Sequence, residues 1–349
     1  MEENNILELL KTVNYPGFSR DIVSFGIISQ ISYDDGLVHV KIELSTQDSS
    51  VPKKLKQSIS ETLLKDTRIK DVNVSFVLNS KGKPEEDNAQ TNLAGVNKII
   101  AIASGKGGVG ESTIAVNLSC ALAKIKRDNK FLKIGLMDCD VYGPSIPQLL
   151  GSIDRPSIIG ENRIAPNESF GVKLISMGLL VDEESPIIWR GPMVMKTIQQ
   201  FAENVEWGEL DFLVIDLPPG TGDAQLSLAQ ILPLDGVIIV TTPQKTAFEV
   251  ARRGAKMFEK LKVPILGVVE NMSFFTDNSG KETHPFGQGG GKITADSLKT
   301  EVIAEIGLDQ EIREGGDHGI PLVVGDPQNK NTNQFNLIAE KLSTSMLSS

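Results

Sequence analysis

The chain of 349 residues holds only two cysteines, Cys120 and Cys139, and three histidines, His39, His284 and His318. Two cysteines cannot build a disulfide framework, which fits a reducing compartment. The histidines lack ligand spacing: His284 and His318 read as isolated loop residues, and His39 falls within a strand. A basic excess is also missing. The formal net charge is −10, which argues against a general nucleic-acid or anionic-membrane surface. No apolar run reaches the ~18 residues that cross a bilayer. The opening "MEENNILELLKTV" lacks the basic segment followed by an apolar one that marks a secretory signal. Internal repeats and low-complexity tracts are absent too. Together these absences predict a cytoplasmic protein with no nucleic-acid and no membrane partner.

What is present is enough apolar sequence, 40% of residues, to bury a substantial core. Residues 1–78 alternate two periodicities: "NILELLKTV" and "VPKKLKQSISETLLKD" have helical spacing, whereas "GLVHVKIELS" and "VNVSFVL" read as strands. A small α+β domain follows from that pattern. Residues 79–95, "NSKGKPEEDNAQTNLAG", are polar and aperiodic with Gly and Pro, the composition of a linker. From 96 to 349 short apolar runs alternate with helical stretches: "NKIIAIAS", "KIGLMDCD", "VKLISMG", "LDFLVIDLP", "GVIIVTTP" and "PILGVVENMS". Runs of that length indicate strands buried on both faces of a mostly parallel sheet. The expectation is a doubly wound α/β domain with ligands at the carboxyl ends of its strands. The tail "NQFNLIAEKLSTSMLSS" reads as a last helix that frays.

"GKGGVGES" follows the strand "KIIAIAS" and opens the helix "STIAVNLSCALAKI", the context a phosphate-binding loop requires. Its glycines let backbone N–H groups close around phosphate oxygens, and the helix N-terminus adds favourable partial charge. Gly105, Lys106, Gly107, Gly108, Val109, Gly110, Glu111, Ser112 and Thr113 are therefore the candidate nucleotide-binding residues, with Ser112 placed to ligate Mg²⁺. Asp138 and Asp140 follow one apolar strand and Asp216 follows another, ahead of a Gly/Pro loop suited to respond to a γ-phosphate. Carboxylates there hold Mg²⁺ or orient an attacking water. Taken singly, each also suits a helix cap or a turn; taken with the loop, they predict a nucleotide-hydrolysis site.

The extra lysine early in the loop, Lys106, resembles the deviant Walker A motif of the MinD and ParA ATPases. "DCDVYGPSIPQLLG", "WRGPMVMKTIQQF", "DLPPGTGDAQLSLAQ", "VENMSFF" and "FGQGGG" together resemble the Mrp (ApbC) family of iron–sulfur cluster carrier proteins. The N-terminal unit, with "DIVSFGIISQI", is similar to the small iron–sulfur assembly domain often fused to them. The resemblance implies a homodimeric, Mg²⁺-dependent ATPase that passes iron–sulfur clusters to apoproteins alongside other assembly proteins. It implies that Lys106 reaches the partner's nucleotide, that Asp140 belongs to the first switch and Asp216 to the second, all three with catalytic roles, and that Asn271 lies near the adenine; Asp138, by its place at a strand end, is the carboxylate expected to serve Mg²⁺ with Ser112.

Two departures stand against that pattern. Glu111 occupies the place of the usual loop lysine, so a negative charge replaces a positive one beside the phosphates. A unit charge pair at ~4 Å and an effective dielectric of about 20 is worth roughly 4 kcal/mol, about a thousandfold in rate. Weak ATP binding and slow hydrolysis are the expectation. The second departure is in "ENMSFFTDNSGKETHPFG", where Asp277 and Gly280 stand at the positions of a CxxC pair that many family members use for a bridging [4Fe-4S] cluster. The small domain offers Ser49 and Ser50 where relatives often carry a cysteine. Some plastid-type carriers of the family also lack the CxxC pair.

Cys120 and Cys139 read as buried structural residues, Cys139 turned by strand alternation away from its flanking aspartates. No cluster ligand is identified. Trp189 and Arg190 mark either a partner surface or a helix start, "ARRGAKMFEK" a solvated helix face, and "GQGGGK" a flexible turn. Three functions remain in play: a cluster carrier with impaired hydrolysis, a non-hydrolysing adaptor of cluster assembly, and a positioning ATPase on membrane or DNA, against which the low basicity argues.

Overall fold

The computed structural model describes residues 3–13, 16, 21–23, 27–34, 36–44, 50–78, 93–141, 143–159, 163–180, 191–220, 223–277 and 279–347. The chain divides into two compact units, Met1–Asn88 and Ala89–Ser349. The predicted linker lies outside the described residues up to residue 92, as do Ser49, Trp189 and Arg190.

The first unit contains α1 (Glu3–Leu10), β1 (Ile28–Asp34), β2 (Leu37–Leu44), α2 (Ser50–Leu63) and β3 (Asp71–Leu78). Its sheet runs β1-β2-β3, with β1 antiparallel and β3 parallel to β2. Val38, Val40 and Ile42 share one face of β2 at period two and meet Leu55, Ile59 and Leu63, spaced by four along α2. His39 points to the opposite, exposed face. The strand β1 was not among the strands its periodicity predicts, because it is an edge strand of half-buried and exposed residues.

The second unit begins with β4 (Val96–Ser104) and α3 (Glu111–Ala123), then a short hairpin of β5 (Lys126–Arg127) and β6 (Lys130–Phe131). It continues with β7 (Ile134–Asp138), α4 (Ile146–Leu149), a hairpin of β8 (Ile158–Ile159) and β9 (Arg163–Ile164), β10 (Asn167–Ser169) and β11 (Val172–Ser176). Next come α5 (Gly191–Asn204), β12 (Leu210–Asp216), α6 (Asp223–Ile231), β13 (Gly236–Thr241), α7 (Lys245–Lys260) and β14 (Ile265–Glu270). The hairpin β15 (Phe275–Thr276) and β16 (Glu282–Thr283) precedes α8 (Gly290–Ser297), β17 (Val302–Glu305), α9 (Gln310–His318), α10 (Leu322–Gly325) and α11 (Lys330–Leu347).

Eight strands form one sheet in the order β10-β11-β7-β12-β4-β13-β14-β17, all parallel except β10. Both faces are covered, and β4 shows why its sequence is continuously apolar. Ile100 and Ile102 pack into the core beneath α3 and α11, whereas Ile99, Ala101 and Ala103 pack with Phe201, Trp207 and Phe258 on the other side. The helix α3 is buried around its whole circumference from Ile114 to Leu122 because it lies between the sheet and α11; its two polar side chains there, Asn117 and Ser119, are hydrogen-bonded to backbone.

The last helix does not fray along its length. Phe335, Ile338, Ala339 and Leu342, at spacings of three and four, dock it on α3, and it holds to Leu347. The segment "ARRGAKMFEK" is the C-terminal part of an amphipathic α7 and carries both faces: Ala251, Gly254, Ala255 and Phe258 are buried, whereas Arg253, Lys256, Glu259 and Lys260 are exposed. The glycine run at 287–291 is not a free turn: Gly290 and Gly291 begin α8, and the buried Glu270 carboxylate accepts the Gly291 N–H. His318 ends α9 instead of lying in a loop, its Nδ1 against the Glu314 carbonyl at 2.8 Å.

Candidate nucleotide site

The site forms where β4, β7 and β12 end. Asp216 lies opposite Ile102 of β4 and Asp138 of β7 in the strand register. Phe212 and Val214 of β12, and Ile134 and Leu136 of β7, face the α3 side. Alternation therefore turns Asp216 and Asp138 to that same side, toward the loop that opens α3. Cys139 falls on the opposite face, fully buried with Met137 and Ile215.

Two glycines of the loop have no substitute. A Cβ on Gly105 would lie 2.3 Å from the Val250 carbonyl carbon of α7, and one on Gly110 would lie 2.3 Å from Asn271 Nδ2. Gly110 also adopts φ +90°, the left-handed region that favours glycine, and caps α3 with no side-chain hydrogen bond. The first N–H groups of α3 thus have no side-chain cap, the arrangement that receives an anion. Lys106, Gly107 and Gly108 are exposed along the loop, and Val109 is buried. Asn271 fastens the loop from outside: its Nδ2 donates to the Val109 carbonyl at 2.8 Å, and its backbone N–H to Thr241 at 2.8 Å.

Ser112 Oγ donates to Asp216 Oδ2 at 2.6 Å, while Asp216 Oδ1 is enclosed and meets no donor. Burial, then the Asp138 charge, pushes the Asp216 carboxyl well above its ordinary range, with Ser112 opposing. Asp138 accepts from Ser176 Oγ at 2.7 Å and from the Asp140 N–H at 3.0 Å. Burial raises its carboxyl to about 7, partly offset by Ser176. A serine oxygen and a carboxylate oxygen lacking a donor are hard ligands of the kind Mg²⁺ takes, and an uncapped helix start beside them suits a phosphate. The loop residues fit a Mg²⁺-nucleotide.

Glu111 is 7% exposed. Burial raises its carboxyl to about 7, opposed by hydrogen bonding to Ser104 and reinforced by Asp140. Its Oε1 is enclosed without a donor. Beyond placing a negative charge beside phosphates, this carboxylate is costly in the folded protein before any ligand arrives.

Residues that the sequence did not single out complete the site. Gln225 of α6 donates from Nε2 to the Ser104 carbonyl at 3.2 Å and the Pro218 carbonyl at 2.6 Å, tying the loop after β12 to the end of β4. Ser176 holds Asp138 from a neighbouring strand. Beside the loop lies a cleft of ≈ 360 Å³ lined by Gly110, Thr113, Asn271, Leu308, Ile312 and Arg313, a size and apolar–polar mix suited to a small ligand. The contribution of α9 to it had no local signal.

The hairpin at the CxxC position is a self-contained turn. Asp277 Oδ1 accepts from Ser279 N, Ser279 Oγ and Lys281 N at 2.8, 2.6 and 3.0 Å, and these bonds, the Ser279 hydroxyl first, hold its carboxyl below the ordinary range. Both cysteines are at most 1% exposed, and burial pushes the Cys120 thiol up to about 12 and the Cys139 thiol well above its usual range. Among the described residues no three His, Cys, Asp or Glu side chains converge to hold a metal on their own. This chain's thiols do not fit a bridging cluster.

A doubly wound sheet with this loop at its centre defines a P-loop nucleotide-binding protein of the deviant Walker A kind. Residues 95–343 match the family described as NUBPL iron-transfer P-loop NTPase, and residues 3–76 match the iron–sulfur cluster assembly protein family. The chain belongs to the NUBPL-type iron-transfer P-loop NTPases, fused to an iron–sulfur assembly domain. It is 40% identical over 346 residues, 98% of this chain and 92% of the relative, to the iron-sulfur cluster carrier protein of Helicobacter pylori. Over 237 residues, 67% of this chain and 74% of the relative, it is 51% identical to the mitochondrial iron-sulfur protein required for NADH dehydrogenase of Arabidopsis thaliana. Among solved structures, the nucleotide-binding protein of Archaeoglobus fulgidus in complex with ADP matches with a TM-score of 0.60 and 33% identity, covering 71% of this chain and 95% of that one.

Proposed function

We propose that this protein is an ATP-binding iron–sulfur cluster carrier that delivers clusters to apoproteins, working as a homodimer in the cytoplasm. The observation that carries the reading is the pairing, in one chain, of the assembly-type unit with the P-loop unit, matched along nearly its whole length by the Helicobacter pylori carrier. ATP sits with its phosphates at 105–113 and its base in the cleft beside Asn271. Ser112, with Asp216 and Asp138, holds Mg²⁺, which polarises the phosphate oxygens when bound. Lys106, exposed at the loop, is free to reach a partner's nucleotide. Asp140 and Asp216 couple nucleotide state to the loops that follow them. With Glu111 in place, hydrolysis is slow. No helix among the described residues is long and apolar enough to cross a membrane, and the net charge is −10; a positioning role on membrane or DNA is correspondingly disfavoured, and neither is a partner.

The cluster is cargo, and its ligands are not Cys120 or Cys139. That observation favours a second reading, in which the protein is a non-hydrolysing adaptor that positions clients while another protein ligates the cluster. Anaerobic reconstitution of the full chain with iron and sulfide, followed by transfer to an apoprotein, separates the two. Cluster absorbance followed by client activation supports the carrier; no absorbance with client binding retained supports the adaptor; neither absorbance nor client binding sinks both.

A further inference from the structure

Glu111 and Asp216 present the same unusual feature. Both side chains are more than nine-tenths buried, and in each one carboxylate oxygen, Glu111 Oε1 and Asp216 Oδ1, is enclosed without a donor. An enclosed carboxylate oxygen with no donor is costly, and a cation coordinated to it removes that cost. Ser112 explains only the Asp216 half of the pair, since a Mg²⁺ ion on the serine side takes Asp216 Oδ1 into its surroundings. Glu111 Oε1 is left over. Negative charge gathers in one place: Asp216 and Asp138 stand side by side at the strand ends, Ser112 next to Glu111 bonds to Asp216, and Asp140 follows Asp138 by two residues. A nucleotide adds several more negative charges to this place, and the loop's lysine, Lys106, is on its exposed side.

The geometry points to a second divalent-cation site in this chain, with Glu111 Oε1 as its protein ligand and the ion standing where a loop lysine would carry its ammonium. Reach supports the substitution. A glutamate side chain is one bond, about 1.3 Å, shorter than lysine, and an ion about 2.1 Å beyond the carboxylate oxygen restores the positive charge to much the same distance from the backbone. A hard oxygen ligand selects Mg²⁺ or Mn²⁺ over softer metals. Among the described residues no three His, Cys, Asp or Glu side chains converge on the ion, so phosphate oxygens and water fill the rest of its shell. It follows that the ion and the nucleotide bind together and that neither holds well without the other. This inference rests on the nucleotide-binding half of the proposed function.

Mn²⁺ reports on it directly through its electron paramagnetic resonance signal, with the full chain and a non-hydrolysable ATP analogue. The expected result is two Mn²⁺ per bound nucleotide in the wild type and one in Glu111→Lys and in Glu111→Gln, with no tight Mn²⁺ in the absence of nucleotide. Once the analogue is already saturated with one metal, its affinity for the wild type should still rise about tenfold per tenfold increase in free Mn²⁺, by linkage, and stay flat for Glu111→Lys. Glu111→Gln keeps the side chain's shape, and its thermal melt checks that a lost ion is not a lost fold. One Mn²⁺ per nucleotide in the wild type overturns the inference, as does nucleotide binding by Glu111→Lys alone at every Mn²⁺ concentration; in both cases the nucleotide reading stands. Absence of binding in all three proteins removes the nucleotide reading itself, and the inference with it.

Discussion

Glu111 and Asp277 each put a carboxylate where the family pattern has a different chemistry, lysine in the first case and a cluster thiolate in the second. Their surroundings are opposite. Asp277 sits half-exposed in a hairpin turn whose own Ser279 and Lys281 satisfy one oxygen three times, and its carboxyl is held down. Glu111 is enclosed between strand ends, one of its oxygens meets no donor, and its carboxyl is driven up. At 277 the carboxylate closes an ordinary turn and asks nothing of the rest of the protein. At 111 it leaves a cost that only a proton, a cation or another residue can relieve. A carboxylate is thus satisfied locally at the surface and left under tension in the interior.

The largest effect expected from breaking this contrast is in Glu111→Lys. Exchanging repulsion for attraction at ~4 Å and an effective dielectric of about 20 is worth at least roughly 4 kcal/mol. ATP turnover, measured as phosphate release at a Mg²⁺ concentration that loads the nucleotide but leaves the Glu111 cation site empty, should rise about a thousandfold over the wild type. Equal turnover in the two proteins would sink the claim that Glu111 slows hydrolysis.

A smaller effect is expected in the stability of the nucleotide-free protein. Glu111 rises on folding from its ordinary 4.5 to about 7, so between those values the folded state binds more protons than the unfolded one. Stability from this group is full below about 4.5 and is lost as pH climbs through about 7. Asp138 and Asp216 act with the same sign. At about 1.4 kcal/mol per tenfold, Glu111 contributes up to about 3 kcal/mol to that slope. Urea unfolding at several pH values between about 5 and 8 should show the wild type weakening as pH rises and Glu111→Gln weakening less. Identical slopes would mean that Glu111 is solvated in the folded protein.

The sheet and the loop were legible because their signals are local. Strands such as 96–104 and 210–216 announce two-faced burial by the apolar runs "IIAIA" and "FLVI" at their centres, and the glycine run between strand and helix announces the loop. Alternation alone sent Cys139 away from Asp138. What stayed hidden depends on residues far apart in the chain. Ser176 reaches Asp138 across neighbouring strands, Gln225 reaches Ser104 from α6, and the wall of the cleft comes from α9. No window of sequence contains those pairs. The four-residue strand β17 carried too little pattern to be seen, and the glycines at 290–291 read as slack because their anchor, Glu270, lies on another element. Glu111 was visible as a wrong charge, but its enclosure was not.

The mildest expected effect comes from Asp277→Ala. Removing the carboxylate frees Ser279 N and Lys281 N, which then turn to water, since the turn lies at the surface and buries neither group deeply. Hydrogen exchange at those two amides should accelerate while the amides of β14 and α3 keep their protection. Nucleotide affinity should stay within about twofold of the wild type, as for a surface substitution that touches no partner in the site. The same measurement on Glu111→Gln, where the changed group lies inside, should alter nucleotide affinity and leave the hairpin amides untouched. A loss of nucleotide binding in Asp277→Ala would show the hairpin to be coupled to the loop, through Asn271 at the end of β14, and would end the separation between the two regions.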